Sequence, residues 1–190
     1  MFIKILEIFT LVAGIFYVWL QIRQSRWTWP FDIVVSAASI VVFASGHIWA
    51  SMVLNIYYLV MGVCGTIAWK KDAEKASEGA LRLRRLPRKE LLASILLLLV
   101  GSIGAYFILR ALADPAPLLD GIVAVSSIIG TYWLLRSYLE NWLLWIFSDL
   151  VSTILCLSQG MYWMALMYTA YTAAAVIGWM HWKKQGEYII

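Results

Sequence analysis

The run ENWLLWIFSD, residues 140–149, opens a long apolar stretch and carries an acidic residue into it. Trp142, Trp145 and Asp149 are spaced i, i+3 and i+7, which places all three on one face of an α-helix. Two indoles can flank a flat ring, and the carboxylate below them can meet its positive charge. A charged group in such a run is expensive and indicates a function. The spacing also fits an interfacial tryptophan belt with an aspartate paired to a neighbouring helix.

The composition is that of a membrane protein. Of the 190 residues, 63% are hydrophobic and only 14% are charged, against about 25% in soluble domains. One compact helical bundle is expected, without a separate soluble domain. The net charge of +4 comes from basic residues in connectors, so it reflects membrane topology rather than nucleic-acid binding. Cys64 and Cys156 lie in apolar runs and form neither a zinc motif nor a disulfide framework.

Seven apolar segments can be drawn, each near the roughly 17–25 residues that cross a membrane. Their approximate limits are residues 2–22, 29–46, 47–69, 90–113, 118–135, 142–158 and 161–182. With the N-terminus outside, only Lys4 and Arg110 of the 15 Lys and Arg residues lie outside. The positive-inside rule therefore predicts an outside N-terminus and an inside C-terminus.

Two smaller expectations concern the ends of the spans. Asp32 lies within a turn of the basic inner surface and is expected to pair with Arg23 or Arg26. Six tryptophans are assigned to interfacial belts. They are Trp19, Trp27, Trp69, Trp163, Trp179 and Trp182.

The chain repeats itself at an offset of 113 residues, without gaps. The coinciding pairs include Arg23/Arg136, Trp29/Trp142, Ser39/Ser152, Tyr58/Tyr171, Gly65/Gly178, Trp69/Trp182 and Lys70/Lys183. The predicted fold is therefore an all-α membrane protein of seven helices in a 3-1-3 arrangement. The first three-helix repeat is residues 1–69, a basic loop and linker helix occupy 70–113, and the second, parallel repeat is 114–190. Parallel repeats are a transporter architecture with substrate near the midplane; the alternative is an old duplication without a transport role.

Polar residues recur at matching positions of the third and seventh spans and suggest a cavity wall. They are Asn55 and Tyr58 in the third span, and Tyr168 and Tyr171 in the seventh. Hydrogen bonding between helices is the alternative. Gly65 and Gly178 are assigned to helix packing.

The sequence offers little support for an enzyme. It contains no nucleophile–base set, no phosphate-binding glycine loop and no cluster with metal-ligand spacing. An intramembrane enzyme would need several acids or histidines at one depth, where only Asp149 is expected. A structural assembly protein would not need the parallel duplication. No enzyme activity, metal or cofactor is therefore expected.

Three motifs resemble the PnuC family of nicotinamide riboside and vitamin transporters. Trp142-x-x-Trp145-x-x-x-Asp149 fits the W-x-x-W-x-x-x-N/D pattern of that family. Residues 54–58 (LNIYY), with the glycine and tryptophan that follow, are similar to its L-Q-x-x-Y…G-W-x-x-W pattern. The third motif is the closing Tyr168-x-x-Tyr171…Gly178-x-x-x-Trp182. Asp149 and Asn55 stand where nicotinamide riboside carriers favour Asn and Gln.

The resemblance implies a SWEET-like 3-1-3 fold and a multi-pass protein of the bacterial inner membrane. With the orientation that the positive-inside rule predicts, the N-terminus would be periplasmic and the C-terminus cytoplasmic. It implies facilitated diffusion of nicotinamide riboside, trapped by a cytoplasmic kinase, with thiamine or another cationic vitamin as the alternative. Trp142 and Trp145 would stack on the cationic ring, and Asp149 would supply the counter-charge. The polar part would meet Asn55, Tyr58, Tyr168 and Tyr171. The expected partners are the vitamin and membrane lipid, not nucleic acid, and a homo-oligomer stays open.

Overall fold

The computed structural model describes residues 13–45, 49–73 and 81–189, which form seven helices and two short strands. The helices are α1 (Ala13–Ile22), α2 (Thr28–Ser45), α3 (Trp49–Ala73), α4 (Arg88–Ala111), α5 (Pro117–Leu135), α6 (Asn141–Ser158) and α7 (Tyr162–Gln185). The strands, β1 (Leu81–Leu83) and β2 (Gly186–Tyr188), pair with each other. The predicted helical fold is confirmed. The beginning of the first predicted span and the turn predicted at Gly46 lie outside the described residues.

Within residues 13–45, 49–73 and 81–189, four helical segments have the length and apolar composition to cross a membrane. They are Met52–Asp72, Arg88–Ala111, Pro117–Leu135 and Asn141–Ser158. Ala13–Ile22 and Thr28–Val42 are shorter apolar helices. On α4, Leu92, Leu96 and Leu99 are each more than 60% exposed, as lipid-facing side chains are. Helix α5 begins at Pro117, where the fixed φ of proline suits the first turn.

The chain divides into two compact units, which are described separately. The first unit comprises the residues up to Arg82 together with Gln185–Ile189 and contains α1, α2 and α3. The second unit, Leu83–Lys184, contains α4 to α7. In the first unit α2 packs along α3, and in the second α5 packs along both α4 and α6.

Strand β1 lies inside the connector for which the sequence predicted no structure. Its Arg82 is held by the side-chain amide of Gln24, which donates to the Arg82 carbonyl at 2.8 Å and accepts from the Arg82 N–H at 2.6 Å. The Arg82 guanidinium also donates to the carbonyl of Trp69 at 3.1 Å. The backbone and the guanidinium of Arg82 thus both have hydrogen-bond partners within the first unit.

The turns after α1 and α5 have the same geometry. Gln24 ends α1 with a φ of 46°, and Ser137, 113 residues later, ends α5 with a φ of 58°. The N–H of Ser25 donates to the carbonyl of Leu20 at 3.0 Å. The corresponding bond in the second unit joins the Tyr138 N–H to the Trp133 carbonyl, also at 3.0 Å. The sequence repeat therefore corresponds to a repeated local structure.

In the first unit, a glycine on α3 makes room for a tryptophan of α2. Trp29 is fully buried, and a Cβ built on Gly65 would lie 2.1 Å from Cδ2 of its ring. The Trp29 ring also meets Trp69 edge to face, with centroids 5.4 Å apart and planes at 80°. Only a residue without a side chain allows this approach of helix backbone to indole.

The second unit repeats this packing between α6 and α7. A Cβ on Gly178 would lie 2.5 Å from Cη2 of Trp142, which is 1% exposed. Trp142 meets Trp182 edge to face, at 5.4 Å and 89°. The predicted packing role of both glycines is confirmed. We call the two sets, Trp29–Gly65–Trp69 and Trp142–Gly178–Trp182, the indole notches.

The indole notches correct part of the predicted tryptophan belt. Trp69 and Trp182 were expected at the interface, but they are 3% and 0% exposed because each covers the buried ring of a notch. Trp19 and Trp27 are exposed, as expected. The side chain of Trp163 lies outside the described part of the chain.

The predicted ion pair of Asp32 is also wrong. Asp32 is 9% exposed and lies against Gly62 of α3, and no ion pair joins it to either arginine in the described part of the chain. The guanidinium of Arg23 instead lies 4.5 Å from the Trp19 ring centroid, and that of Arg26 lies 5.6 Å from Trp27. Cation–π contacts at the surface take the place of the expected pairs.

We expect Gly65→Ala and Gly178→Ala each to destabilise the protein by about 1–3 kcal/mol, because the added methyl overlaps a buried indole. The melting temperature in detergent should fall by at least about 2 °C. Gly104→Ala is the control, since a Cβ on Gly104 meets nothing within 4 Å and the change should stabilise α4 by about 0.5–1 kcal/mol. Equal melting temperatures for all three variants would contradict the packing argument.

Candidate functional site

Helix α6 begins directly at the motif that the sequence singled out. Asn141 is its first residue, fully buried, and its side-chain amide donates to the carbonyl of Tyr138 at 2.6 Å. The Tyr138 hydroxyl in turn donates to Glu90 of α4 at 2.8 Å, and burial raises the pKa of this tyrosine. These contacts fix the rotation of α6 and so the direction of the helix face that carries Trp142, Trp145 and Asp149.

The two motif tryptophans have different surroundings. Trp142 is enclosed in its indole notch, whereas Trp145 is half-buried. The Trp145 ring lies on Gly130 of α5, where a Cβ would be 3.3 Å from Cε2. The indole N–H groups of both residues are buried without an acceptor in the described part of the chain. Of the two rings, Trp145 is the one that keeps an accessible surface.

Asp149 lies half-buried in the middle of α6, and in the described part of the chain no basic side chain pairs with it. Two tyrosines of α7, Tyr168 and Tyr171, interact electrostatically with its carboxylate. Their rings meet edge to face, with centroids 6.3 Å apart and planes at 79°. The structure thus brings Asp149, Tyr168 and Tyr171 close together, and their predicted roles in binding stay predictions.

A cavity of about 180 Å³ lies beside Tyr168 in the second unit. Two carboxylates, Asp114 and Asp120, are among its walls, and the described residues that line it include no basic side chain. Asp120 interacts electrostatically with both Asp114 and Tyr168. Such a cavity favours a positively charged ligand.

Sequence reasoning missed these two acids. It took Asp114 as part of a helix break, which is correct, since the Asp114 carboxylate accepts the N–H of Ala116 at 2.8 Å. Asp120, in the first turn of α5, has the ordinary position of a helix-dipole partner. One feature of the sequence could have indicated Asp120: it lies one helical turn after the break at residues 114–117, at the end of α5 that is next to the end of α6.

Asn55 and Tyr58 belong to α3 of the first unit, where both are half-buried. Tyr58 lies next to Tyr57, with ring centroids 5.8 Å apart, and it interacts electrostatically with Tyr17 of α1. Tyr17 also interacts with Asp32, a second buried acid that the sequence had assigned to the surface. The roles predicted for Asn55 and Tyr58 in binding stay predictions.

The described residues contain no group of three or more His, Cys, Asp or Glu side chains placed to hold a metal ion. What they do contain is a carboxylate, an accessible indole and two phenols inside a bundle of apolar helices. An indole face and a carboxylate both attract a cationic group, and an ionisable residue inside an apolar helix indicates a functional site.

Residues 4–184 match the sequence profile of the nicotinamide mononucleotide transporter family, and the chain belongs to this family. It is 26% identical over 197 residues to the nicotinamide riboside transporter PnuC of Escherichia coli (strain K12), covering 90% of this chain and 82% of that protein. The resemblance to the PnuC family is therefore confirmed.

Two further relatives extend the comparison. The riboflavin/roseoflavin transporter RibM of Streptomyces davaonensis is 26% identical over 177 residues, covering 90% of this chain and 81% of RibM. The crystal structure of the vitamin B3 transporter PnuC has the same fold, with a TM-score of 0.73 and 22% identity over 93% of this chain and 79% of that one. Proteins of this fold and family thus include named carriers of different vitamins.

The contrast between the two motif tryptophans has a direct test. Trp142→Phe should lower the melting temperature of the ligand-free protein, because it leaves a cavity against Gly178 that costs about 1 kcal/mol or more. Trp145→Phe should change it much less, since Trp145 is half-buried and lies on one glycine. The measurement is thermal unfolding of both variants in the same detergent. A larger loss for Trp145→Phe would reverse the assignment.

Proposed function

We propose that this chain carries nicotinamide riboside across the bacterial inner membrane by facilitated diffusion. Family membership and the name of the Escherichia coli relative support the class of substrate. The observation that carries the proposal is the half-buried carboxylate of Asp149, which has no ion-pair partner among the described residues and lies beside an accessible indole and two phenols. The pyridinium ring of nicotinamide riboside is flat and positively charged, which this set of groups complements.

Each residue of the second unit takes one part of the ligand in this proposal. Trp145 stacks on the pyridinium ring, and Asp149 supplies its counter-charge. Tyr168 and Tyr171 donate or accept hydrogen bonds with the ribose hydroxyls. Trp142 was predicted to stack as well; its enclosure favours a supporting role, in which it fixes the start of α6 and thereby the position of Trp145.

Thiamine is the alternative substrate, because it also has a cationic ring. Riboflavin, named for the RibM relative, has a neutral ring system at neutral pH and gains nothing from a counter-charge. The acidic lining of the cavity beside Tyr168 favours the two cations over riboflavin. Binding of the three vitamins, measured in parallel on purified protein, should follow that order, with nicotinamide riboside first.

The proposal includes the 3-1-3 arrangement and its orientation. The repeated turns at Gln24 and Ser137 and the two indole notches support two equivalent three-helix repeats, residues 1–69 and 114–190. The segment 70–113 then holds the connector and the linker helix. The distribution of Lys and Arg supports a periplasmic N-terminus and a cytoplasmic C-terminus.

Uptake into proteoliposomes tests the facilitator mechanism. Nicotinamide riboside should enter until the inside and outside concentrations are equal, and a Na⁺ or H⁺ gradient should not raise this limit. With a riboside kinase and ATP enclosed, total label should rise further, because the charged phosphorylated product cannot leave. Liposomes without protein are the control. Accumulation driven by an ion gradient in the absence of the kinase would contradict facilitated diffusion.

Asp149→Asn tests the counter-charge, since it keeps the size of the side chain and removes its charge. Losing one partner of a desolvated charge pair costs about 2–5 kcal/mol. With stacking on Trp145 retained, affinity for nicotinamide riboside should fall by about one to three decades, at about 1.4 kcal/mol each. The reduced riboside, whose dihydropyridine ring is neutral, should lose little.

The two ligands and two proteins form a double-mutant cycle, measured by isothermal titration. Glu140→Gln is the matched control, because it makes the same carboxylate-to-amide change at an acid of the second unit that does not line the acidic cavity. A coupling energy near zero for Asp149, with equal losses for both ligands, would remove this residue from charge recognition. Lower stability of the empty Asp149→Asn protein would then identify a structural role.

A further inference from the structure

A second cavity, of about 530 Å³, lies in the first unit where α2 begins and α3 ends. Its walls include three basic side chains, Arg26, Lys70 and Arg82. Neither the transport motif nor any residue of the proposed vitamin site lines it. It therefore needs a separate explanation.

The three basic groups of this cavity have different surroundings. Arg82 is anchored by Gln24 and the Trp69 carbonyl, and Asp72 lies near enough to interact with it. Burial lowers the pKa of Arg82 even so, because the guanidinium has lost water, while the Asp72 carboxylate acts in the opposite direction. Lys70 is exposed, and Arg26 lies over the exposed Trp27 ring. Of the three cations, Arg82 is the one for which an interaction with the Asp72 carboxylate is seen among the described residues.

Apart from Thr66, the remaining walls are apolar and aromatic. They include Pro30 and three tryptophans, of which Trp29 and Trp69 are buried and Trp27 is exposed. Trp27 is 59% exposed and directly precedes α2, at a helix end where interfacial tryptophans are expected. The cavity therefore offers cations for an anionic group and indole surface for an apolar or ring-shaped body attached to it.

The second unit keeps the indole notch but not this chemistry. At the offset of 113 residues, Leu139 stands for Arg26 and Glu140 for Trp27. Trp179 stands for Thr66, and the Lys183 ammonium lies 4.8 Å from its ring centroid. In the second unit an indole therefore stands in place of Thr66, an acid in place of Trp27 and an apolar residue in place of Arg26. The helix packing explains the notch in both units, but it does not explain the basic cavity in one of them.

We propose that this cavity binds a phosphate group that carries an apolar or aromatic body. Arginine and lysine are the usual partners of phosphate, and basic residues near a membrane surface attract anionic headgroups. Two sources have this chemistry: an anionic phospholipid of the adjacent leaflet, and the phosphorylated form of the vitamin. The cytoplasmic placement of the cavity rests on the proposed orientation; the phosphate site itself does not depend on which vitamin is carried.

The test compares Lys70→Ala with Lys183→Ala, which removes the equivalent lysine of the second unit. Both lysines are exposed, so neither change should unfold the protein. The probes are short-chain phosphatidylglycerol, short-chain phosphatidylcholine and nicotinamide mononucleotide, titrated into the full chain in neutral detergent at low salt. At about 1 kcal/mol for a lysine near an anionic surface, Lys70→Ala should weaken anion binding about fivefold, and Lys183→Ala should not.

Each outcome decides the question. Selective loss of phosphatidylglycerol, with phosphatidylcholine unaffected, supports the site and identifies a lipid. Selective loss of nicotinamide mononucleotide, with nicotinamide riboside binding unchanged, supports the site and identifies the phosphorylated vitamin. Equal affinities of wild type, Lys70→Ala and Lys183→Ala for both anions overturn the proposal. Failure of the wild type to bind nicotinamide riboside would overturn the transport proposal instead, and it would leave the anion measurements interpretable.

Discussion

The structure depends on the contact between a buried indole and a helix backbone that has no side chain. In each unit a tryptophan near the start of one helix fills the space left by a glycine near the end of the next, and a second tryptophan covers it edge to face. Between helices in lipid there is little hydrophobic driving force, so close van der Waals packing has to hold them together. The indole notches supply it, and they fix the rotation of α6 and hence the direction of Asp149.

A second constraint comes from the buried carboxylates. An acid inside an apolar bundle is costly unless something compensates for its charge. Asp149 has phenols beside it but no basic partner in the described part of the chain, and Asp32 lies in a comparable setting in the first unit. Such groups are unfavourable for the empty protein and favourable for a cationic ligand. A solute carrier gains selectivity from this difference, because the ligand supplies the charge that the fold leaves out.

The sequence was sufficient for the helices, since apolar runs bounded by Pro117 or by basic residues leave little freedom in their limits. It also singled out Asp149, Tyr168 and Tyr171, from helical spacing and from the match of Tyr171 to Tyr58 in the 113-residue repeat. The structure places the three side chains near one another, and their role in binding stays a prediction. It could not distinguish the buried Trp142 from the half-buried Trp145, because enclosure depends on residues far away in the sequence. Gly178 and Trp182 both contact the Trp142 ring, whereas the Trp145 ring lies on Gly130. Strand β1 was not predicted because its three residues are too few to show an alternating pattern. The backbone of its Arg82 is bonded by the side chain of Gln24, which is distant in the sequence.

The different surroundings of the two motif tryptophans bear on how this family diverges. Two tryptophans in one short motif invite a common explanation, yet Trp142 packs on Gly178, 36 positions away, whereas Trp145 lies on Gly130 and is half-buried. If Trp145 stacks on the solute, as proposed, a relative that carries another solute can have a different residue at this position while it retains Trp142. Loss of Trp142 should instead coincide with a residue larger than glycine at position 178. Substitutions at position 145 would then follow a change of substrate, and substitutions at position 142 would follow a change in helix packing.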